Sequence, residues 1–248
     1  MYKHRIILDQ EVLNSSILMD IVYKPLEVLP KDIEGLHLSD TLSIKDTDLA
    51  IYTDIKNNTI YVVFRGTSNK EDVITDIAYF PKKFLDTKAH DGFVDALEVV
   101  LQKIISMVNT EVVFSLTTRL VICGHSLGGA LAQLLFYYAN QNDKEFRISK
   151  SNIFCITEGS PKVFVERFLT QNHDCFKERA IRITSPDDIV PSLPPRTLLL
   201  RITRNSYTHI GQHWDIGIED YEGEIREHYA DKYLIAIRKE VEVSDRNK

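Results

Sequence analysis

The run Leu120-Val121-Ile122-Cys123-Gly124-His125-Ser126-Leu127-Gly128-Gly129, followed by ALAQLLFYYA, constrains the fold more than any other stretch of the chain. Four apolar, β-prone residues read as a short buried strand, and the alanine- and leucine-rich run beyond the glycines reads as a helix. Between them, Ser126 sits at a tight strand-to-helix turn of the form G-x-S-x-G. Such a turn holds its serine in a strained backbone conformation that pushes the hydroxyl outward, and a side chain at Gly124 or Gly128 would meet neighbouring backbone. At the head of a helix the first N–H groups have no intrahelical acceptor. The Leu127 amide is therefore expected to face an oxygen that turns negative when Ser126 attacks a carbonyl. A glycine-rich turn without chemistry would carry the same letters, so the partners of the serine decide between the two.

The rest of the chain frames that turn. Its 248 residues suit one domain, and 1–248 is read as a single α/β domain. Residues 1 to about 45 read as a mostly helical segment: Asn14, Ser15 and Ser16 are cap-type residues before ILMDIVY, and Pro25 and Pro30 break the run. Two β-rich runs between Leu49 and Phe64, joined by Lys56-Asn57-Asn58, predict a hairpin. Beyond it, helical stretches alternate with short apolar runs. Helices are expected at about 92–108, 127–140, after Pro161, and at about 224–239; strands are expected at 120–123, 153–157, 180–184 and 198–202. Fully apolar β-runs separated by helices indicate a mainly parallel sheet covered on both faces.

Composition excludes several classes. The formal charge of −6 is mild and the basic residues are scattered, which argues against a nucleic-acid partner. Cys123, Cys155 and Cys175 form no CxxC pair and read as small buried residues. The N-terminal MYKHRIILDQ has too short an apolar stretch for a signal peptide, and no window approaches the roughly 18 apolar residues of a spanning helix. A soluble, cytoplasmic protein is the resulting expectation.

An elbow serine needs an imidazole to take its proton and a carboxylate to orient that imidazole, following it in the order Ser, Asp or Glu, His. The run Ala180–Ile183 ends in Thr184-Ser185-Pro186-Asp187-Asp188, two aspartates just past a strand end, where open parallel sheets build their sites. Of the histidines after Ser126, His173 precedes these aspartates and is excluded by order. His209, His213 and His228 remain as competitors. His125 is adjacent to the serine in sequence and reads as a packing and hydrogen-bonding residue beneath the turn, not as the base.

GHSLGGALA, together with YVVFRGT at 61–67, HDGF at 90–93, GSPKV at 159–163 and DIVPSLPP at 188–195, resembles the class 3 lipase family, in the expected order across about two thirds of the chain. The resemblance implies an α/β-hydrolase fold and a carboxylic-ester hydrolase acting on lipids. It selects Asp188 over Asp187 and His228 over His209 and His213. It makes Thr67, after Phe64-Arg65-Gly66, the second oxyanion donor beside Leu127, and leaves His90 a structural role. It makes about 68–80, with Val73, Ile74, Ile77 and Phe80 at helical spacing, a lid whose end residue Asp76 holds the Thr67 hydroxyl. By spacing alone that stripe reads as a docked surface helix. No metal or organic cofactor is implied, and the expected partner is a lipid ester at a membrane or droplet surface. Val73 stands where the family carries Trp, Glu158 where it prefers an aromatic or small apolar residue, and Phe164 where it prefers glycine. Two other readings are an inactive lipase-fold interaction protein and an acyl hydrolase on a non-lipid ester, because a triad specifies mechanism and not leaving group.

Overall fold

The computed structural model describes residues 7–67, 80–112, 117–169, 174–195, 206–217 and 228–246, and every structural statement below concerns these. Helix α1 spans Asp9–Ile21. Strands β1 (Asp32–Ile33), β2 (Leu36–Ile44), β3 (Thr47–Asp54) and β4 (Thr59–Phe64) follow as antiparallel neighbours. A hairpin, β5 (Pro81–Phe84) and β6 (Thr87–His90), leads into helix α2 (Asp91–Glu111). Then come β7 (Arg119–His125), α3 (Leu127–Gln141), β8 (Ile153–Glu158), β9 (Phe164–Val165), α4 (Asp174–Lys177) and β10 (Ala180–Thr184). Strands β11 (Tyr207–Thr208) and β12 (Gln212–Asp215) and helix α5 (Ala230–Arg246) close the described chain.

The main sheet has the order β1-β2-β3-β4-β7-β8-β10-β12, and from β4 onward its strands are parallel. A small antiparallel sheet, β11-β9-β6-β5, lies apart from it. Alternate residues of the central strands feed two cores. Ile60, Val62, Leu120 and Ile122 join α2 and α3 on one face, while Tyr61, Val63, Val121 and Cys123 join α1 and α5 on the other. Burial on both faces is why these strands read as continuous apolar runs. Cys123 and Cys155 are buried, free, and belong to opposite faces. Among the described residues, no helix is long and apolar enough to cross a membrane.

Three expectations change. The mostly helical segment to residue 45 is helical only in α1 and in short turns; Leu36–Ile44 is a strand. Its apolar residues recur at even spacing, the strand period, and a bulge between Leu38 and Asp40 passes Leu36 and Leu38 to one core and Leu42 and Ile44 to the other. Asn14, Ser15 and Ser16 do not cap a helix but lie buried inside α1. The helix expected after Pro161 is β9 followed by a single 3₁₀ turn, because Phe164 and Val165 are fully buried and pair with β6 and β11. The run at 198–202 and nearly all of the expected lid lie outside the described residues.

Helix α1 meets the sheet along a polar seam. Glu11 accepts two bonds from the Arg119 guanidinium at 2.5 and 2.8 Å, and Asn14 donates to the Tyr61 hydroxyl at 3.1 Å. Removing Arg119 would leave the Glu11 carboxylate, with a side chain only 4% exposed, without its cation. Arg119→Met should therefore destabilise the fold by roughly 2–4 kcal/mol in urea unfolding, and Glu11→Met in the same chain should recover more than half of the loss.

Candidate active site

Strand β7 delivers Ser126 to the C-terminal edge of the sheet, where the residue adopts φ 58° and ψ −127° at the head of α3. Its N–H donates to the Glu158 carbonyl at 2.9 Å, tying the turn to β8. The glycines are required by close approach. A Cβ on Gly124 would lie 2.3 Å from the Gly128 carbonyl, and one on Gly128 would lie 2.4 Å from the Phe64 carbonyl at the end of β4. The same crowding seats the 65–67 segment beside the turn, since a Cβ on Gly66 would meet the His125 carbonyl at 2.8 Å. Leu127 opens α3 directly after Ser126, and Thr67 follows Gly66 in the segment just beyond β4.

The Ser126 hydroxyl, 1% exposed, faces His228, which is 2% exposed. The Ser126 Oγ–H donates to His228 Nε2 at 2.7 Å, and His228 Nδ1–H donates to Asp188 Oδ2 at 2.7 Å. These tautomer roles follow from the partners, since a carboxylate only accepts. Asp188 lies in the loop after β10, and its two oxygens are divided between tasks. Oδ1 accepts the Val190 N–H at 2.9 Å, and Oδ2 also accepts the Tyr233 hydroxyl of α5 at 2.7 Å. Tyr233 in turn accepts the Ser185 N–H at 3.1 Å, and its phenol is pushed well above the usual range by burial and then by the Asp188 charge. The neighbouring Asp187 is exposed.

The other histidines are engaged elsewhere. His209 donates through Nε2 to the Pro191 carbonyl at 2.9 Å, and burial, chiefly, holds its pKa down to about 3, so it is neutral. His213 on β12 meets the Thr184 hydroxyl at 2.6 Å. His90, 3% exposed, stacks on Phe93 with ring centroids 4.2 Å apart. His125 lies 2.7 Å from the Tyr23 hydroxyl through Nδ1, and its ring centroid is 4.6 Å from that of His228. His173 and Asp76 lie outside the described residues.

Sequence reasoning missed two members of this site. Tyr23, in the segment read as mostly helical, reaches His125 across 102 positions, and nothing local signals it. Tyr233, in the last helix after His228, is the other. The aromatic residue a few positions beyond the histidine was its only trace in the sequence.

The family profile described as Lipase (class 3) matches residues 61–198. The chain belongs to the class 3 lipase family. It is 33% identical over 169 residues to a lipase of Rhizomucor miehei, covering 66% of this chain and 45% of that one. It is 33% identical over 164 residues to secreted mono- and diacylglycerol lipase 1 of Fusarium solani, covering 63% of this chain and 46% of the relative. The chain thus spans a little under half the length of these curated relatives. Among solved structures, lipase II from Rhizopus niveus superimposes with a TM-score of 0.71 at 25% identity, covering 84% of this chain and 80% of that one. The α/β-hydrolase fold is that of these lipases. The cytoplasmic expectation does not stand, because the matched relatives include a secreted lipase. That no helix among the described residues is long and apolar enough to cross a membrane speaks to spanning and not to compartment.

Gly159, at φ +55°, allows the Asp188 and His228 side chains to meet; a Cβ there would lie 2.7 Å from Asp188 Oδ2 and 2.9 Å from His228 Nδ1. Gly159→Ala should displace the pair. The low-field proton NMR signal of the His228 Nδ1–H is expected to shift or vanish, with a stability loss of about 1–3 kcal/mol from the positive φ.

Proposed function

We propose that this chain is a serine esterase that hydrolyses carboxylic ester bonds of lipids through an acyl-enzyme. The observation that carries the reading is the His228 imidazole, hydrogen-bonded to Ser126 Oγ on one nitrogen and to Asp188 Oδ2 on the other, each at 2.7 Å. In this reading Ser126 Oγ attacks the ester carbonyl while His228 Nε2 takes its proton. His228 then returns that proton to the leaving alcohol, and water, activated by the same imidazole, releases the acid. Asp188 fixes the tautomer and stabilises the imidazolium. The Leu127 and Thr67 amides hold the oxyanion, the role that preorganised donors at a helix start are suited to.

The same proposal takes 1–248 as one domain with 68–80 as its lid. Two observations support an apolar substrate met at a surface. Ile189, next to Asp188, is 55% exposed, and Tyr229, next to His228, is 44% exposed. Large exposed apolar residues beside a reactive group suit a lipid better than a polar ester. The Fusarium relative's name supports an acylglycerol.

Ser126→Ala and His228→Ala should each lower hydrolysis of a p-nitrophenyl ester by on the order of 10³-fold or more, while His209→Ala stays within about threefold. Full activity in Ser126→Ala would overturn the mechanism. Comparing dispersed and emulsified acylglycerol, with phospholipid vesicles alongside, should give a rate increase on emulsified acylglycerol; equal rates in all three would remove the lipid-surface reading.

A further inference from the structure

Glu158 is the last residue of β8, pairs in register with His125, and lends its carbonyl to the Ser126 N–H at 2.9 Å. Its side chain shares a sheet face with Phe154 and Ile156, four and two residues earlier, and so turns into the seam beneath α1 and α5. There it is 0% exposed, and neither carboxyl oxygen makes a hydrogen bond of ordinary geometry. The groups facing it come from every surrounding element. Ser16 and Asp20 stand on α1, Tyr23 just beyond it, Cys123 and His125 on β7, and Tyr233 on α5. Among the described residues the charge acting on it is that of Asp20, of the same sign.

A carboxylate in such a seam would be a buried charge with no counter-ion, a state that costs several kcal/mol and that a protein avoids by keeping the proton. Burial, first of all, pushes the Glu158 pKa up to about 8; the Ser16 hydroxyl favours the charged form, and Asp20 opposes it. Movement at residue 158 would pass directly to the reacting groups. Its carbonyl holds Ser126, and the next residue, Gly159, is in contact range of Asp188 and His228.

We infer that the uncharged Glu158 carboxyl is a positioning residue, seating the Ser126 turn and the His125–His228 imidazole pair, and that losing its proton unseats them. The inference rests on the hydrolytic reading above. Glu158 touches no reacting atom and acts through the backbone it carries.

The sign of the effect on stability follows from the raised value. The folded state holds a proton that the unfolded chain releases near the ordinary carboxylate pKa, so this contribution is full below about 4.5 and is lost as pH rises through about 8. Glu158→Gln keeps the shape of the neutral acid and has nothing to ionise. Its melting temperature should gain on that of the original chain between about pH 5 and about pH 8 and run parallel to it above about pH 9.

The test is the rate of Ser126 labelling by a fluorophosphonate probe, in the 248-residue chain, from about pH 6 to about pH 10. The original chain should lose about tenfold for each pH unit above its midpoint, while Glu158→Gln holds its plateau. Ser16→Ala, which withdraws the group favouring the charged form, should move the same decline to higher pH, and it decides the matter should Glu158→Gln fail to fold. Superimposable alkaline profiles, or a decline unmoved in Ser16→Ala, would overturn the inference and leave the Ser126 mechanism intact. Absence of labelling at every pH, with melting curves that still diverge, would instead sink the hydrolytic reading and the positioning role together while leaving the buried proton standing.

Discussion

The conformation of one residue organises this molecule. Ser126 sits at φ 58°, a region that costs a non-glycine residue on the order of 1–3 kcal/mol, and the surroundings must hold it there. They do so by contact. The strand before the turn and the helix after it touch through Gly124 and Gly128, the end of β4 closes against Gly128, and the Glu158 carbonyl takes the serine amide. Because β4, β7, β8 and β10 are parallel neighbours, their C-terminal ends share one edge of the sheet. Thr67, Ser126, Gly159 and Asp188, spread over 121 positions from 67 to 188, all leave the sheet at that edge. The motif spacing looks arbitrary along the chain and is dictated by strand order in space.

That geometry explains what was legible beforehand. The strand, turn and helix around Ser126 announce themselves because every letter answers a local requirement. Asp188 could be placed past a strand end for the same reason. The choice among His209, His213 and His228 was not local, since all three satisfy the order. The family resemblance favours His228, and the fold adds the physical reason by giving His209 the Pro191 carbonyl and His213 the Thr184 hydroxyl. The strand at 36–44 is less legible because Asp40 interrupts its even-spaced apolar residues and, of these, only Leu36 is fully buried. At 164–165 tertiary pairing decided against the helical reading of the surrounding residues, a case where partners in space override pattern in sequence.

Helix α1 shows why the remaining part was hidden. A helix covering a sheet is expected to present an apolar stripe, yet this one buries Glu11, Asn14, Ser15 and Ser16. Asn14, Ser15 and Ser16 read as caps because their chemistry suits caps, and the partners along this seam lie on strands more than forty positions away. Asn14 meets Tyr61, Glu11 meets Arg119, and Tyr23 beyond the helix meets His125. A polar seam of this kind fixes the direction and register of the helix more sharply than apolar contact, which tolerates sliding.

The seam is also graded, and its gradient points at the site. At the start of β7, Glu11 is fully paired with Arg119 and also accepts the Leu8 N–H at 2.9 Å. Midway, Asn14 has the Tyr61 hydroxyl. At the C-terminal end of the strands, Ser15, Ser16 and Glu158 have hydroxyl and carboxyl oxygens without hydrogen bonds of ordinary geometry. Buried polar groups left in that state cost free energy, so the secure end of the interface must carry the strained end. The strained end is where Ser126 holds its unfavourable backbone angle and where His125 packs against His228. Stability is therefore concentrated at one end of the strands and drawn down at the other, which places the least settled polar groups of the fold directly behind Ser126.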